Sequence, residues 1–473
     1  MITDKITESI TIHDKYRFEI KLDLSQSSKY YIEYYFFIPA SLNISYYTYD
    51  KSQFYSSLQR YIRFKNPEMD VYSLFNISNI NSPYNRVLEY LDKLKGNPND
   101  NFLVEAVIDE LKLVGSILKS EINEMFIDFK KSDRTDASDI ISKLSFIDES
   151  FENLNKKISS FNYNNRIKES FKYVDEYLTI VKREGILDII KDNNIASLDK
   201  FQRYLEKINN YCDFQKYINV SGENADYFLY HKGLLKKFVS SCLFLKAEPS
   251  FNIYYHIVSG TASAVAMLFA VIVTVYAQTK YSLGSIFFVL IAVISYVFKD
   301  RIKEFVKVAF SKNGGRWVFD RKIKITEPTH NIKIGNIKES FSLFSIDSLP
   351  GDLILLRNKD NLDIIDEDAK LEVVLKYRKE ISLNNKIIDR YHIRRKKLTN
   401  IVRFSIFDFL KHTDDAEVSY NLFKDNRVVS LFAKKTYHIN IIVKYFNKND
   451  EIFYDRYRII FNRSGILKVE KVF

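Results

Sequence analysis

Residues 249–279 form a run of 31 without Asp, Glu, Lys or Arg, and after Lys280 another 18 charge-free residues follow at 281–298. A helix needs ~20 apolar residues to cross bilayer hydrocarbon, with a working range of ~17–25. Core helices of soluble proteins rarely run that far without charge. The spacing therefore predicts two transmembrane helices at about 254–277 and 281–298, joined by a tight turn near 278–282. Lys232, Lys236, Lys237 and Lys246 precede the first, and Lys299, Arg301, Lys303 and Lys307 follow the second. The turn carries only Lys280, so the positive-inside rule predicts an integral membrane protein with both termini cytoplasmic. Residues 1–12 lack the apolar core of a signal peptide.

Small residues recur at four-residue steps in the first span: Ser259 and Ser263, Gly260 and Ala264, and Ala266 and Ala270. Such rows let helices approach closely in lipid, either within one hairpin or between copies. No acid, arginine or inverted repeat lies in the spans, which argues against a transporter or selective channel.

The flanking sequence predicts an α+β membrane protein: a helical, coiled-coil-like N-terminal domain, the two-helix transmembrane hairpin, and a mostly-β C-terminal cytoplasmic domain. Residues 1–80 read as a small β-hairpin plus a short helix. Alternation at Phe18, Ile20 and Leu22 and the apolar run 30–38 form the strands, and 53–64 forms the helix. Residues 81–247 read as a helical bundle. Ser82-Pro83 starts one helix. Ile140, Leu144, Ile147, Phe151, Leu154, Ile158 and Phe161 alternate steps of four and three, a heptad seam. The hairpin fills 248–298, and a basic amphipathic juxtamembrane helix is expected at 299–315. Residues 316–473 carry the remaining strands, one of them at 353–357. The N-terminal hairpin is free to join their sheet.

The net charge of +11 is unevenly placed. Residues 299–473 hold 36 Lys+Arg against 24 Asp+Glu, while the rest of the chain is nearly neutral at 35 against 36. The densest basic patch is Arg390, Arg394, Arg395, Lys396 and Lys397. Such a patch suits anionic lipid headgroups, an acidic protein or nucleic acid, the last not favoured.

Two cysteines exclude a disulfide framework and a four-Cys zinc site. With 12 glycines there is no phosphate-cradling loop motif, and no cofactor is expected. Two polar constellations remain. Asp352 with Asp368 and Lys370 loosely follows the carboxylate–carboxylate–lysine pattern of a metal-dependent nuclease. His412, Asp414 and Asp415 offer a His-plus-carboxylate metal set, although such spacing more often marks a turn. No titratable constellation before the spans looks catalytic, and nothing in the chain carries a resemblance to a named family. The leading functional expectation is a membrane-anchored, cytoplasm-facing interaction or signalling protein that is not an enzyme. Its partners are the lipid bilayer and a protein partner or a second copy. The alternatives are a membrane-permeabilising effector that oligomerises through the hairpin and a cryptic metal-dependent hydrolase or nuclease.

Overall fold

The computed structural model describes residues 8–25, 27–98, 100–131, 137–191, 198–220, 224–250, 253–282, 284–313, 319–328, 331–359, 372–391, 395, 397–446 and 451–472. The chain forms two compact units. One comprises Met1–Ile62, Leu245–Ile388 and Thr399–Phe473, and the other Arg63–Phe244 and Asp389–Leu398.

The first unit is built on one large sheet. Its strands are β1 (Glu8–Asp14), β2 (Arg17–Asp23), β3 (Lys29–Pro39), β4 (Leu58–Phe64), β5 (Phe244–Ser250), β6 (Arg321–Glu327), β7 (Ile332–Ser345), β8 (Glu372–Leu383), β9 (Leu398–Ser405), β12 (Tyr437–Phe446), β13 (Ile452–Asn462) and β14 (Gly465–Lys471). They lie in the order β1-β2-β9-β4-β5-β6-β7-β8-β3-β12-β13-β14. A separate two-stranded ribbon joins β10 (Glu417–Lys424) to β11 (Arg427–Lys434).

The sheet curls until its ends meet. The Lys15 carbonyl accepts from Ile466 N at 2.8 Å, and Tyr457 Oη donates to the Glu8 carbonyl at 3.2 Å. Rings from strands far apart in the order touch across the enclosed face: Phe18 on β2 lies 6.4 Å from Phe36 on β3, and Phe404 on β9 lies 5.5 Å from it. Helix α1 (Lys51–Ser56), held by the Asp50–Gln53 capping box, sends Phe54 into this core, 4.4 Å from Phe341. On the outer face α11 (Gly351–Asn358) covers Tyr35, Phe37, Val374 and Ile442 through Leu353.

Closure depends on Gly465, whose φ is 131° and whose added Cβ would lie 2.4 Å from the Lys15 carbonyl oxygen. Gly465→Ala is expected to lower unfolding stability by about 2–4 kcal/mol, from backbone strain and overpacking together. Chemical denaturation measures the loss, and hydrogen exchange should show β1 and β14 opening first.

Four expectations are corrected here. The β domain is not C-terminal alone, because β1 to β3 complete it. β3 does not pair with β2; its run is buried on both faces and sits between β8 and β12. Residues 53–64 are not one helix: α1 ends at Ser56 and β4 follows. Residues 353–357 are helical, in α11, where Pro350 opens the turn.

The two-helix transmembrane hairpin is also overturned. Helices α9 (Ile253–Lys280) and α10 (Ile286–Asn313) pack against each other, but only α9, over Ser259–Lys280, is long and apolar enough to cross a membrane among the described residues. Ser285 caps α10, with Val289 N bonded to its carbonyl and Phe287 N to its Oγ, so Tyr281, Ser282, Gly284 and Ser285 lie outside both helices. Thirteen uncharged residues, 286–298, remain before Lys299, or ~20 Å of helix against the ~30 Å of a bilayer core. The expected juxtamembrane helix is the second half of α10.

The second unit contains α2 (Val71–Phe75), α3 (Pro83–Leu94), α4 (Asn101–Lys131), α5 (Ser138–Ser159), α6 (Asn165–Ile190), α7 (Leu198–Gln215) and α8 (Ala225–Ser240). Ser82 Oγ accepts from Asn85 N and Pro83 occupies the first turn of α3. The α5 seam from Ile140 to Ile158 is buried. It does not make a coiled coil, because its neighbours are split among α2, α6 and α7 rather than one matched helix. Phe146 meets Phe75 of α2 at 5.7 Å and Phe151 stacks on Phe171 of α6 at 5.7 Å.

Candidate functional site

The largest departure from an ordinary soluble surface is the α9–α10 pair. Val265, Leu268, Val271, Ile272, Val275, Ile286, Phe287, Leu290, Val293, Ile294 and Val297 are all exposed. Contiguous apolar surface of this kind marks a partner or a membrane. Among the small residues, Ala262 and Ala266 are fully buried, Ala270 is half-buried, and Ser295 Oγ of α10 lies 3.4 Å from the Ala270 carbonyl. This row therefore faces α10 of the same chain. Ser259 and Ser263 are half-buried and joined by a 2.9 Å bond from Ser263 Oγ to the Ser259 carbonyl, while Gly260 and Ala264 are exposed.

The Ser295–Ala270 contact sets the level of the antiparallel pair, placing Lys299 of α10 beside Ala266 of α9. Lys299 sits 3.7 Å over the Tyr296 ring, and Arg301, which is exposed, pairs with Glu304 at 3.7 Å. Lys303 is half-buried, and the Lys307 side chain lies outside the described residues. The apolar surface is thus bounded on α10 by Lys299, Asp300, Arg301, Lys303 and Glu304.

The helical unit holds a second candidate, a cavity of about 780 Å³ lined by α5, α6 and α7. Asp148 accepts from Lys182 Nζ at 2.6 Å, Tyr204 Oη at 2.9 Å and Lys207 Nζ at 3.3 Å. Asp175 accepts from Tyr211 and Tyr217 Oη, each at 2.7 Å. Burial opposes ionisation of both acids. At Asp148 the Lys182 ammonium and the donated hydrogen bonds outweigh it and hold the carboxyl below the usual range, whereas at Asp175 burial wins and the carboxyl is raised. Two acids pushed in opposite directions within one cavity can share the tasks of charge partner and proton holder. No sequence signal announced this cluster, because its residues come from three helices with no common spacing.

The other expected sites fare differently. Asp352 opens α11 in an exposed position, where Tyr454 Oη donates to it at 2.6 Å. Asp368 and Lys370 lie outside the described residues. Asp414 accepts from Lys435 Nζ and, at 3.0 Å, from Tyr437 Oη, and Lys435 holds its carboxyl below the usual range. Asp415 pairs with Arg463 at 2.7 Å, and His412 is exposed. Among the described residues no three His, Cys, Asp or Glu side chains converge to hold a metal. In the basic patch, Arg395 pairs with Asp109 and donates to the Cys242 carbonyl at 2.6 Å, and Lys397 pairs with Glu68 at 2.8 Å. Arg390 is exposed at the end of α12 (Asn385–Tyr391); Arg394 and Lys396 lie outside the described residues.

Compared with protein-family models, with curated proteins and with solved structures, the chain matches none of them.

Proposed function

We propose that this is a membrane-held interaction protein, attached by the apolar end of the α9–α10 pair with both termini on the cytoplasmic side. The observation that carries the reading is the exposed apolar surface of that pair. Because α10 packs along α9, driving α9 across the whole bilayer would carry five charged α10 residues into hydrocarbon, at about 2.5–3.5 kcal/mol for each basic or Asp residue. Inserting only the apolar end, ~20 Å deep, avoids that cost and leaves Lys299, Arg301 and Lys303 at the headgroups, where each basic residue gains about 1 kcal/mol from anionic lipid. The cavity around Asp148 and Asp175 supplies a place for a small polar ligand, as a recognition role would need.

Vesicle flotation of the full chain tests the attachment. Val275→Glu, Phe287→Glu and Val293→Glu combined replace exposed side chains, so folding should persist while membrane partitioning falls at least about tenfold. A wild-type protein that stays in the aqueous phase, or a variant that still floats, overturns the reading. Depth is tested by cysteine mapping with Cys212 and Cys242 changed to Ser. Both native thiols have raised pKa values through burial, Cys242 up to about 12, so they react slowly in any case. Gln278→Cys should resist an impermeant maleimide from both sides of the membrane; labelling from the far side would mean a full crossing.

A further inference from the structure

The β10–β11 ribbon stands apart from the sheet, and every residue in both strands is exposed. Directly opposed residues share a face, and the register pairs Val418 with Ala433, Tyr420 with Leu431 and Leu422 with Val429. That face is apolar along these three pairs and ends at the turn in Lys424 opposite Arg427. The other is mixed: Glu417 opposes Lys434, Ser430 Oγ donates to Asn421 at 2.7 Å, and Phe423 opposes Val428. The turn is a tight two-residue connection, Asp425 and Asn426 having φ of 50° and 61°, and it is flanked by exposed Lys424 and Arg427. A lone two-stranded ribbon is marginal in water, and one with an uncovered apolar face needs something to cover it.

The ribbon's root is fixed by the residues weighed from sequence as a metal set. Asp414 holds Lys435 and Tyr437, Asp415 holds Arg463, and Lys435 N bonds to the Ala416 carbonyl at 3.0 Å. Strand register then locates this root. Ser250 pairs with Lys322, Ser345 with Val373, Pro39 with Glu372, Asn440 with Phe37, and Tyr437 with Phe461. Followed from strand to strand, Ser250, Arg321, Pro39 and Tyr437 fall at one end of the sheet. Ser405, paired with Arg17 beside the Lys15–Ile466 closure, falls there too. The α9–α10 pair leaves between Ser250 and Arg321, and the ribbon leaves between Ser405 and Tyr437. These two exposed apolar projections therefore depart from the same end of one sheet.

We propose that the β10–β11 ribbon is a second membrane-contacting arm. It lays the Val418, Tyr420, Leu422, Val429 and Leu431 face on an anionic bilayer, with Lys424 and Arg427 at the phosphates. The proposal rests on the membrane reading of α9–α10, which places a bilayer at that end. Charge complementarity selects lipid over a second copy, since the apolar face ends in two cations that an anionic surface neutralises.

The test uses the full chain with Cys212 and Cys242 changed to Ser, carrying an environment-sensitive fluorophore on Val429→Cys or, on the mixed face, on Ser430→Cys. On adding phosphatidylcholine–phosphatidylglycerol vesicles, the label at 429 should shift to the blue and that at 430 should not. Lys424→Glu with Arg427→Glu should weaken binding to these vesicles about tenfold or more and leave binding to pure phosphatidylcholine unchanged. If the protein floats but the label at 429 does not shift, the ribbon proposal fails while the membrane reading stands. If the protein does not float, both fail. A concentration-dependent shift at 429 without vesicles would mean that a second copy covers the face, and would overturn the proposal.

Discussion

Glu339→Leu is expected to lower the stability of the sheet unit by about 3–5 kcal/mol, the usual cost of stranding buried charge. Glu339 projects from β7 into the enclosed face and is fully buried. It accepts from Tyr377 Oη and from Arg60 Nε at 3.0 Å, and the Lys379 ammonium, itself 1% exposed, lies 4.0 Å away. Lys379 also donates to Asn400 Oδ1. Leucine would fill much of the volume but leave Arg60 and Lys379 without a counter-charge in a face otherwise lined by Phe18, Phe36, Phe404 and Tyr34. The double variant Glu339→Leu with Lys379→Met should recover part of the loss, because it removes one of the two stranded cations while Arg60 stays without its carboxylate. Hydrogen exchange at β7 and β8 and the denaturation midpoint measure both. Equal destabilisation by the single and double variants would show that shape, not charge, governs the site.

Glu8→Gln is expected to abolish a decline in stability between about pH 5 and pH 8. The Glu8 carboxyl is buried near Asp455, Lys471, Tyr34 and Lys379, and burial, reinforced by the Asp455 charge, pushes its pKa up to about 8. In the unfolded chain it ionises near about 4.3. Between those values the folded protein keeps a proton that the unfolded chain has released, so stability falls as pH rises, by as much as about 5 kcal/mol over the window. Glutamine stays neutral and flattens the slope. Lys379 acts in the opposite sense: burial pushes its pKa down to about 8, so its contribution to stability increases from about pH 8 to about 10.4. The combined contribution of Glu8 and Lys379 should thus be lowest near pH 8. Parallel wild-type and Gln profiles would place the titration elsewhere.

Elements dictated by neighbouring residues were legible before the structure. The Ser82-Pro83 start of α3 and the Phe18, Ile20, Leu22 alternation of β2 each report a local preference and one buried face. Residues 353–357 were not legible, because a short apolar run suits a buried strand or a helix equally. Nor were Glu339 and Lys379, which occupy inward positions on β7 and β8, where pattern reading expects apolar side chains. Their opposition exists only once β7 and β8 pair, with Lys379 directly across from Glu339. The Asp148–Lys182–Asp175 cavity is of the same kind, assembled from three successive helices whose lining residues share no common spacing.

The charge-free stretch is the clearest case of both limits. The sequence by itself determined that residues 249–279 and 281–298 carry no charge and are mostly helical, since lack of charge and helix period are properties of consecutive residues. Only the tertiary structure decided that Ser285 starts α10 late, that thirteen uncharged residues remain before Lys299, and that α10 holds its charges alongside α9. Likewise, alternation determined that strands would form, while pairing decided that segments hundreds of residues apart share one sheet. The physical reason is common to both. Periodicity states which face of an element is buried, but what buries it is chosen by long-range packing, which no local spacing encodes.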